Sequence, residues 1–240
     1  MIKKHIPNAI TSLNLFSGCI AVVSAIEGDL TAAFLFIILS AVFDFFDGFA
    51  ARKLGVASPI GKDLDSLADD ISFGLAPAAI VSSLLKECDY PEAMLDWAFV
   101  IPYIPYVIAV FSALRLAKFN NDERQHVSFI GMPTPANAIM TGAMANMPVA
   151  AFLWQPAPVF SDMLHFGLWS VLMLLAYTFI TSWLLVCPVP MFSFKQKGKT
   201  QYVFAGCAIV LTALFAFAGL FATMVLYIAI SFASTNRNTK

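Results

Sequence analysis

The sequence predicts an all-α bundle of membrane-spanning helices, and three observations favour this fold class. The 240 residues are 60% hydrophobic and 12% charged, with a mean hydropathy of +0.80. The apolar residues form runs of about 20, the length with which an α-helix crosses the hydrocarbon core of a bilayer. The basic residues collect beside alternate runs, as they do in polytopic membrane proteins. A soluble domain is therefore excluded.

Six apolar runs each predict one spanning helix. They lie near residues 7–26, 30–52, 61–85, 95–117, 135–154 and 164–186. A further stretch, 201–233, contains no charged residue. A single helix of that length would rise about 50 Å through a hydrocarbon core of ~30 Å. Two short helices with a turn near Gly219 fit the stretch better, so we expect eight transmembrane helices, with seven as the alternative.

The distribution of basic residues predicts the orientation. With the N-terminus in the cytoplasm, only Lys86 falls on the opposite side, in a loop rich in acidic residues. Arg237 and Lys240 join the cytoplasmic side only if 201–233 crosses twice. This pattern predicts a multi-pass protein of the cell (inner) membrane with both termini in the cytoplasm. A net charge of −1, without a basic run interleaved with aromatic residues, argues against a nucleic-acid partner.

Four aspartates lie within the second and third predicted spans. Asp44 and Asp47 belong to the second span, and Asp65 and Asp69 to the third. A carboxylate in a spanning segment costs at least ~2.5 kcal/mol on insertion scales, so it indicates a functional site. Four such groups close together repel one another unless cations neutralise them. Carboxylate oxygens are hard ligands, which favours Mg²⁺ or Mn²⁺ as the cation.

Helix geometry predicts that the four carboxylates meet. The turn between the two spans is centred on Val56, with Asp47 nine residues before it and Asp65 nine after it. Asp44 and Asp69 lie twelve before and thirteen after, so each pair has equal depth in an antiparallel hairpin. Spacings of three and four residues place each pair on one helix face. Interhelical ion pairs, or an ion-conduction or proton-relay site, are the alternatives left open.

The residues around the aspartates form a motif with fixed spacing. Its positions are, in chain order, Asp44, Asp47, Gly48, Ala51, Arg52, Gly61, Asp65 and Asp69. The motif resembles the signature of the CDP-alcohol phosphatidyltransferase family, whose members transfer the phosphatidyl group of a CDP-lipid to an alcohol and release CMP. Together with the spans, the resemblance implies a six-helix catalytic bundle over 1–190 and a C-terminal transmembrane hairpin and tail over 191–240.

The same resemblance implies a catalytic centre with two divalent ions, Mg²⁺ or Mn²⁺. The ions would be held by Asp44, Asp47, Asp65 and Asp69. The general base that accepts the proton of the acceptor hydroxyl would be Asp69. A homodimer is also expected from the resemblance.

The CDP-lipid site follows from the same motif. The resemblance implies that it is lined by Gly48, Ala51, Arg52 and Gly61. Three polar residues nearby are further candidates for nucleotide contacts, namely Asn8, Thr11 and Ser58. Asn8 and Thr11 recur with Asn14 at helical spacing on the first predicted span, so interhelical hydrogen bonds are the alternative role of these three residues. Helix capping is the alternative role of Ser58.

Segments outside the signature resemble the phosphatidylserine synthase branch of that family. They are 7–14, 64–69, 72–74, 76–77, 113–120 and 129–136, within a likeness that covers roughly 5–195. The branch implies L-serine as the acceptor and phosphatidylserine as the product. Glycerol 3-phosphate or an inositol derivative is the alternative acceptor. An ion-coupled transporter is the alternative from another class, but the sequence has no paired repeats with broken helices.

A serine site needs a cation for the serine carboxylate, and an arginine fork suits that group. Arg115 ends the fourth predicted span on the cytoplasmic side, at about the depth of the aspartates. Asn120 and Lys195 are weaker candidates for the same site. The alternative roles of Arg115 are a positive-inside anchor or an ion-pair partner of an aspartate.

Overall fold

All regular secondary structure described by the computed structural model is helical. The structure describes residues 5–56, 58–121, 130–149, 162–191 and 199–238. The α-helices are, in chain order, α1 (His5–Ile26), α2 (Leu30–Leu54), α3 (Pro59–Asp69), α4 (Ala76–Glu87), α5 (Val107–Asn121), α6 (Thr134–Ala145), α7 (Leu168–Val186) and α8 (Lys199–Asn238). Within these ranges, strand-like pairing is limited to one isolated bridge, between Ile130 and Pro190. The all-α prediction is confirmed.

Six helical stretches in the described ranges are long and apolar enough to cross a membrane. They are His5–Ile26, Leu30–Leu54, Pro59–Glu87, Ile101–Asn121, Leu168–Val186 and Gln201–Ala233. Five of them coincide with predicted spans, and the last covers the stretch for which two helices were predicted. Large apolar side chains such as Phe16 and Trp169 lie exposed on the outer surface, which suits lipid better than water. The fold is therefore consistent with a polytopic membrane bundle.

The third predicted span is one continuous stretch that changes its winding part-way. Ser58 caps the start of α3, because its Oγ accepts a hydrogen bond from the N–H of Gly61 at 3.1 Å. Between α3 and α4, the six residues Asp70–Leu75 wind as a π-helix. Such segments are rare and often occur at functional sites. This one begins directly after Asp69, the predicted general base.

The fifth predicted span ends earlier than expected, because α6 stops at Ala145. Pro148 has no backbone N–H and disfavours helical geometry at the residue before it, so the helix ends ahead of it. Asn146 fixes this end against the bundle, since its Nδ2 donates to the carbonyl of Leu30 at 3.1 Å. The last part of the predicted span, from residue 150, lies outside the described ranges.

Two other predicted spans begin later than expected. Turns of 3₁₀-helix over Glu92–Trp97 and Ile101–Tyr106 precede α5. Pro102 and Pro105 lie in the second of these turns and cannot donate to an α-helical hydrogen-bond ladder. Similarly, α7 begins at Leu168, four residues later than predicted.

The long C-terminal helix α8 is broken at Ala216, where φ is 45° and ψ is −120°. The chain reverses direction there, because the ring centroids of Phe204 and Tyr227 lie 6.3 Å apart. In a continuous helix these residues would be separated by about 34 Å. The break lies three residues before Gly219, where the sequence predicted the turn. We call the parts of α8 before and after Ala216 the first and second arm.

The α3–α4 stretch lies at the centre of the bundle and brings α1 to the site. Phe73 of the π segment and Ile80 of α4 have no exposed surface. A Cβ on Gly18 of α1 would lie only 2.9 Å from the Cα of Ser72 in the π segment. Glycine is therefore needed for the two backbones to approach this closely. The contact brings the polar face of α1 beside Asp69.

Candidate active site

Three of the four carboxylates that the sequence predicts to meet converge in the structure, and Asp69 is not in this group. One oxygen each from Asp44, Asp47 and Asp65 lies within 4.8 Å of the others. The convergence follows from the short connection between Leu54, the last residue of α2, and Pro59, the first of α3. We call these three residues with Asp69 the carboxylate cluster.

The donor set of the carboxylate cluster fits a divalent metal. Asp47 Oδ2 and Asp65 Oδ1 are buried and accept no hydrogen bond from the described residues. No described lysine or arginine lies within the 4.0 Å that defines an ion pair with these acids. Several carboxylates a few ångströms apart need a positive charge close by, and no described basic side chain lies within ion-pair distance to provide it. Hard oxygen ligands of this kind match Mg²⁺ or Mn²⁺.

Asp69 is held by a side chain from α1. The Nδ2 of Asn14 donates to Asp69 Oδ1 at 3.2 Å, and both residues are buried. The orientation of the Asn14 amide is fixed in turn, because the Ser72 hydroxyl donates to its Oδ1 at 2.8 Å. Asp69 lines one cavity together with Asp44 and Asp65. The hydrogen bond from Asn14 thus fixes one oxygen of Asp69 and orients its carboxylate within the cavity.

Asp70 points to a different part of the molecule although it follows Asp69 directly. It lines a separate groove against α5, beside Ala109, Ala113 and Ala117. Successive residues of a helix point about 100° apart. The two neighbouring carboxylates therefore have distinct surroundings, which makes Asp70 a natural control for Asp69.

A cavity of about 180 Å³ opens on the α1 side of the carboxylate cluster. It is lined by Pro7, Asn8, Thr11, Asp47, Gly48, Ala51, Val56, Ser58, Gly61, Lys62 and Asp65. These include every predicted CDP-lipid residue except Arg52. A Cβ on Gly61 would lie 3.1 Å from the side-chain oxygens of Asn8 and Ser58, so a larger residue there would crowd the cavity. We call it the α1-side cavity.

Two polar residues of the α1-side cavity also have structural partners. The Thr11 hydroxyl donates to the carbonyl of Pro7 at 3.0 Å, within α1. Ser58 is the N-cap of α3. The capping alternative for Ser58 is therefore observed, and its oxygen still faces the cavity.

A second cavity, of about 470 Å³, opens on the α5 side. It is lined by Asp44, Phe45, Gly48, Arg52, Asp65, Ser66, Asp69, Arg115, Leu116, Phe119, Asn120, Pro133, Thr134 and Pro135. Gly48 and Asp65 line both cavities, so the carboxylate cluster lies between them. The guanidinium of Arg52 lies over Gly48, with Nη1 3.3 Å from the position of a Cβ there. We call this one the α5-side cavity.

The predicted serine-binding residues differ in their surroundings. Arg115 is only 7% exposed, lines the α5-side cavity, and has an Nε without a hydrogen-bond partner in the described part of the chain. Asn120 also lines this cavity, but its Nδ2 donates to Ser66 Oγ at 2.7 Å. Its carbonyl accepts a hydrogen bond from Lys62 Nζ at 2.9 Å, so Asn120 links α5 to α3. Lys195 lies outside the described residues.

Two further residues belong to the site. Asn14, which recurs with Asn8 and Thr11 at helical spacing, makes an interhelical hydrogen bond to Asp69, one of the two roles left open for it, but the sequence did not predict its partner. Thr134 was expected to lie just before the fifth predicted span without a ligand role, but it is the first residue of α6. It is 1% exposed and lines the α5-side cavity. The only signal for Thr134 was its place in the segment 129–136.

Comparison with known proteins gives the family. The family model for CDP-alcohol phosphatidyltransferase matches residues 4–181. The chain is 37% identical over 131 residues to the CDP-diacylglycerol–serine O-phosphatidyltransferase of Bacillus subtilis (strain 168), which covers 55% of this chain and 70% of that protein. It is 34% identical over 136 residues to the archaetidylserine synthase of Methanothermobacter thermautotrophicus, covering 56% and 54%.

A eukaryotic relative gives a similar result. The identity to the CDP-diacylglycerol–serine O-phosphatidyltransferase of Saccharomyces cerevisiae (strain ATCC 204508 / S288c) is 34% over 157 residues, which is 59% of this chain and 53% of that protein. The alignments to the archaeal and yeast proteins thus span about half of their lengths. The family match includes all four aspartates of the cluster and both arginines of the α5-side cavity. The chain belongs to the CDP-alcohol phosphatidyltransferase family.

Proposed function

We propose that the protein transfers the phosphatidyl group of CDP-diacylglycerol to the hydroxyl of L-serine, giving phosphatidylserine and CMP. The observation that carries this proposal is the position of the carboxylate cluster between two cavities with different linings. The α1-side cavity contains the residues expected for the CDP-lipid. The α5-side cavity contains a buried arginine beside Asp69, the expected base. A donor and an acceptor could thus meet at the carboxylates.

The carboxylate cluster would hold two divalent ions, Mg²⁺ or Mn²⁺, through Asp44, Asp47, Asp65 and Asp69. When bound, such ions neutralise the charge of a pyrophosphate and of the group that leaves it. The unpartnered oxygens of Asp47 and Asp65 support this assignment. The interhelical ion-pair alternative loses support, because the cluster has no basic partner within ion-pair distance among the described residues.

The CDP-lipid would bind with its nucleotide in the α1-side cavity. Asn8, Thr11 and Ser58 offer amide and hydroxyl groups there. Gly48, Ala51 and Gly61 have little or no side chain, so the ligand can approach the backbone closely. Arg52, which extends over Gly48, is placed to pair with a phosphate oxygen of the donor.

Asp69 would act as the general base. Asn14 donates to Oδ1 and orients the carboxylate, so Oδ2 could accept the proton of the acceptor hydroxyl while Oδ1 keeps a lone pair for a metal ion. The serine oxygen then forms a bond to the phosphorus that carries the diacylglycerol, and the bond from that phosphorus to the CMP oxygen breaks. Asp69 leaves the reaction protonated and releases its proton to solvent. The Asn14–Ser72 contact supports the required fixed orientation.

The names of the relatives support serine as the acceptor. The Bacillus and yeast proteins are named for serine, and the archaeal protein for the corresponding archaetidyl lipid. The buried Arg115 matches the serine carboxylate, which an uncharged acceptor lacks. Asn120 and Lys195 stay predictions as serine ligands. Glycerol 3-phosphate, also an anion, is the nearest rival acceptor, followed by an inositol derivative.

We further propose eight transmembrane helices with both termini and the active site at the cytoplasmic face of the cell (inner) membrane. Two ring contacts support a double crossing by α8. Phe217, just past the break, lies 5.5 Å from Phe34 near the start of α2. Phe232 lies 6.3 Å from Trp183 near the end of α7. The second arm therefore runs between the two ends of the bundle.

The homodimer, and the division at residue 190, rest on the family resemblance.

An acceptor panel tests the proposed function. Purified protein in micelles that contain CDP-diacylglycerol should release CMP with L-serine far faster than with glycerol 3-phosphate or inositol. Preference for another alcohol would support the phosphatidyl transfer but rule out serine as the acceptor. Ion flux in liposomes without any lipid turnover would favour the transporter alternative instead.

A further inference from the structure

The start of α6 forms one wall of the α5-side cavity, and its first side chain has no hydrogen-bond partner in the described part of the chain. Thr134 is the first residue of α6 and lines this cavity together with Pro133 and Pro135. Its Oγ1 is buried and has no hydrogen-bond partner among the residues that the structure describes. A buried hydroxyl without a partner is costly, so it indicates a missing ligand.

The N-terminus of α6 adds partial positive charge to the same wall. The first N–H groups of a helix have no intrahelical acceptor, and the helix dipole favours an anion there. No side chain of the described ranges caps α6, whose N-cap position is Pro133. The helix has 12 residues, long enough for its dipole to act.

Arg115 supplies a full positive charge to this cavity from α5. It is more than nine-tenths buried, and its Nε is unpartnered within the described chain. Arg115 and Thr134 thus belong to different helices and line one cavity with Asp69. A planar anion such as a carboxylate can accept from a guanidinium and a hydroxyl at once.

The backbone before Thr134 is held rigidly, which fixes the position of the wall. Gly131 has a φ of 78°, and its N–H donates to the carbonyl of Val189 at 3.0 Å. The N–H of Met132 donates to the carbonyl of Leu184 at 2.9 Å, and Met132 is fully buried. The start of α6 is thereby attached to the end of α7 and to the segment after it. Such preorganisation favours selective binding.

We infer that the N-terminus of α6, through Thr134 and together with Arg115, binds the carboxylate of the acceptor amino acid. This inference rests on the proposed function and adds a specificity-determining residue to it. With the carboxylate held there, the acceptor hydroxyl is directed into the cavity that Asp69 also lines. Hydroxyl acceptors that lack a carboxylate, such as ethanolamine, would leave Arg115 and Thr134 unpaired and bind poorly.

The test compares three acceptors that share the reacting hydroxyl, namely L-serine, L-serinamide and ethanolamine. The full-length protein and its Thr134→Val variant, which removes the hydroxyl at nearly constant volume, are assayed by CMP release. We expect the variant to raise the serine KM at least tenfold. Its KM for CDP-diacylglycerol should be unchanged, and its preference for serine over serinamide should fall by a similar factor. Thr134→Ser should keep the wild-type values.

Thr141→Val is the matched control, because Thr141 lies on the same helix and is fully buried. Its hydroxyl donates to the carbonyl of Asn137 at 2.9 Å and does not line the cavity. This variant should leave the serine KM unchanged. If Thr134→Val does not yield folded protein, Thr134→Ala removes the same hydroxyl without added volume and gives the same comparison.

The two possible failures are distinguishable. If the wild-type protein turns over serine and loss of the Thr134 hydroxyl leaves the serine KM and the serinamide preference unchanged, only this inference is overturned. If the wild-type protein does not use serine but uses glycerol 3-phosphate, the proposed function is overturned together with the carboxylate site.

Discussion

Two adjacent carboxylates in this protein have different surroundings. Asp69 belongs to the carboxylate cluster and accepts a hydrogen bond from Asn14, whereas Asp70 lines a groove against α5. Residue type alone does not distinguish them, since both are aspartates in the first half of one predicted span. The rotation of about 100° between neighbouring helix positions distinguishes Asp69 from Asp70. Comparing the same substitution at Asp69 and at Asp70 therefore separates the effect of losing a carboxylate in the site from the effect of losing a carboxylate elsewhere in the same helical stretch.

Asp69→Asn should reduce turnover by a factor of about 10² to 10⁴, the usual contribution of a general base. The amide keeps the shape of the side chain but cannot accept the acceptor proton. The KM for CDP-diacylglycerol should change little. Asp70→Asn should retain most of the activity. A variant at residue 69 that keeps wild-type kcat, measured by CMP release, would rule out the base role.

Asn14→Ala should lower kcat by roughly 10- to 100-fold, because a base displaced by about 1 Å reacts much more slowly. Since Asn14 contacts Asp69 and not the α1-side cavity, the KM for CDP-diacylglycerol should be unaffected. Ser12→Ala is the control, because it removes a hydroxyl that donates within α1 to the carbonyl of Asn8. Equal effects of the two variants on kcat would show that Asn14 has only a structural role.

The residue scale also shows why the sequence predicted the cluster but not its support. The four aspartates lie in one hairpin, so helix spacing and a short turn were sufficient to bring three of them together, and Asp69 beside them. Asn14 and Asp69 are 55 positions apart, and their contact depends on how α1 packs against α3. No local pattern carries that information.

At the scale of elements, the departures from the predicted helices have local causes. Pro102, Pro105 and Pro148 shorten two of the predicted spans, because a proline interrupts the hydrogen-bond ladder of an α-helix. The π segment after Asp69 gave no such signal. At this segment α1 approaches closely at Gly18, and the Ser72 hydroxyl donates to Asn14 Oδ1. These contacts join residues far apart in the chain, so no local pattern predicts them.

Gly18→Ala should destabilise the protein by about 1–3 kcal/mol, because the added methyl group overlaps the π segment. It should also lower activity by moving Asn14 away from Asp69. Gly206→Ala is the matched control, since a Cβ at Gly206 meets nothing within 4 Å among the described residues. Thermal unfolding in detergent measures both variants. Equal midpoints for Gly18→Ala and the wild type would contradict the packing argument.

At the scale of the whole molecule, the carboxylate cluster and the two cavities beside it lie at one end of the bundle. The family match ends at residue 181, before α8 begins. The second arm of α8 nevertheless reaches this end, because Tyr227 packs in the same apolar cluster as Met132, just before α6. The C-terminal hairpin thus supports the wall that carries Thr134. The length of the apolar stretch 201–233 predicted a C-terminal hairpin, but the sequence did not predict which surface of the bundle the hairpin covers.

A C-terminal reporter tests the double crossing by α8. A fluorescent protein that folds only in the cytoplasm should fluoresce when fused after Lys240, and alkaline phosphatase fused there should be inactive, because eight crossings return the chain to its starting side. The same reporters inserted after Asp89, in the acidic loop, should give the opposite result. A C-terminal fusion with active phosphatase would contradict the eight-helix topology.

We propose that the carboxylate cluster binds divalent metal ions at which the phosphatidyl group is transferred directly from CDP-diacylglycerol to serine. The most direct measurement follows labelled L-serine into lipid with purified full-length protein, first with EDTA and then after Mg²⁺ or Mn²⁺ is restored. We predict labelled phosphatidylserine and an equal amount of CMP only when metal is present. Undiminished labelling in EDTA, or no labelled lipid with metal restored, would contradict the account.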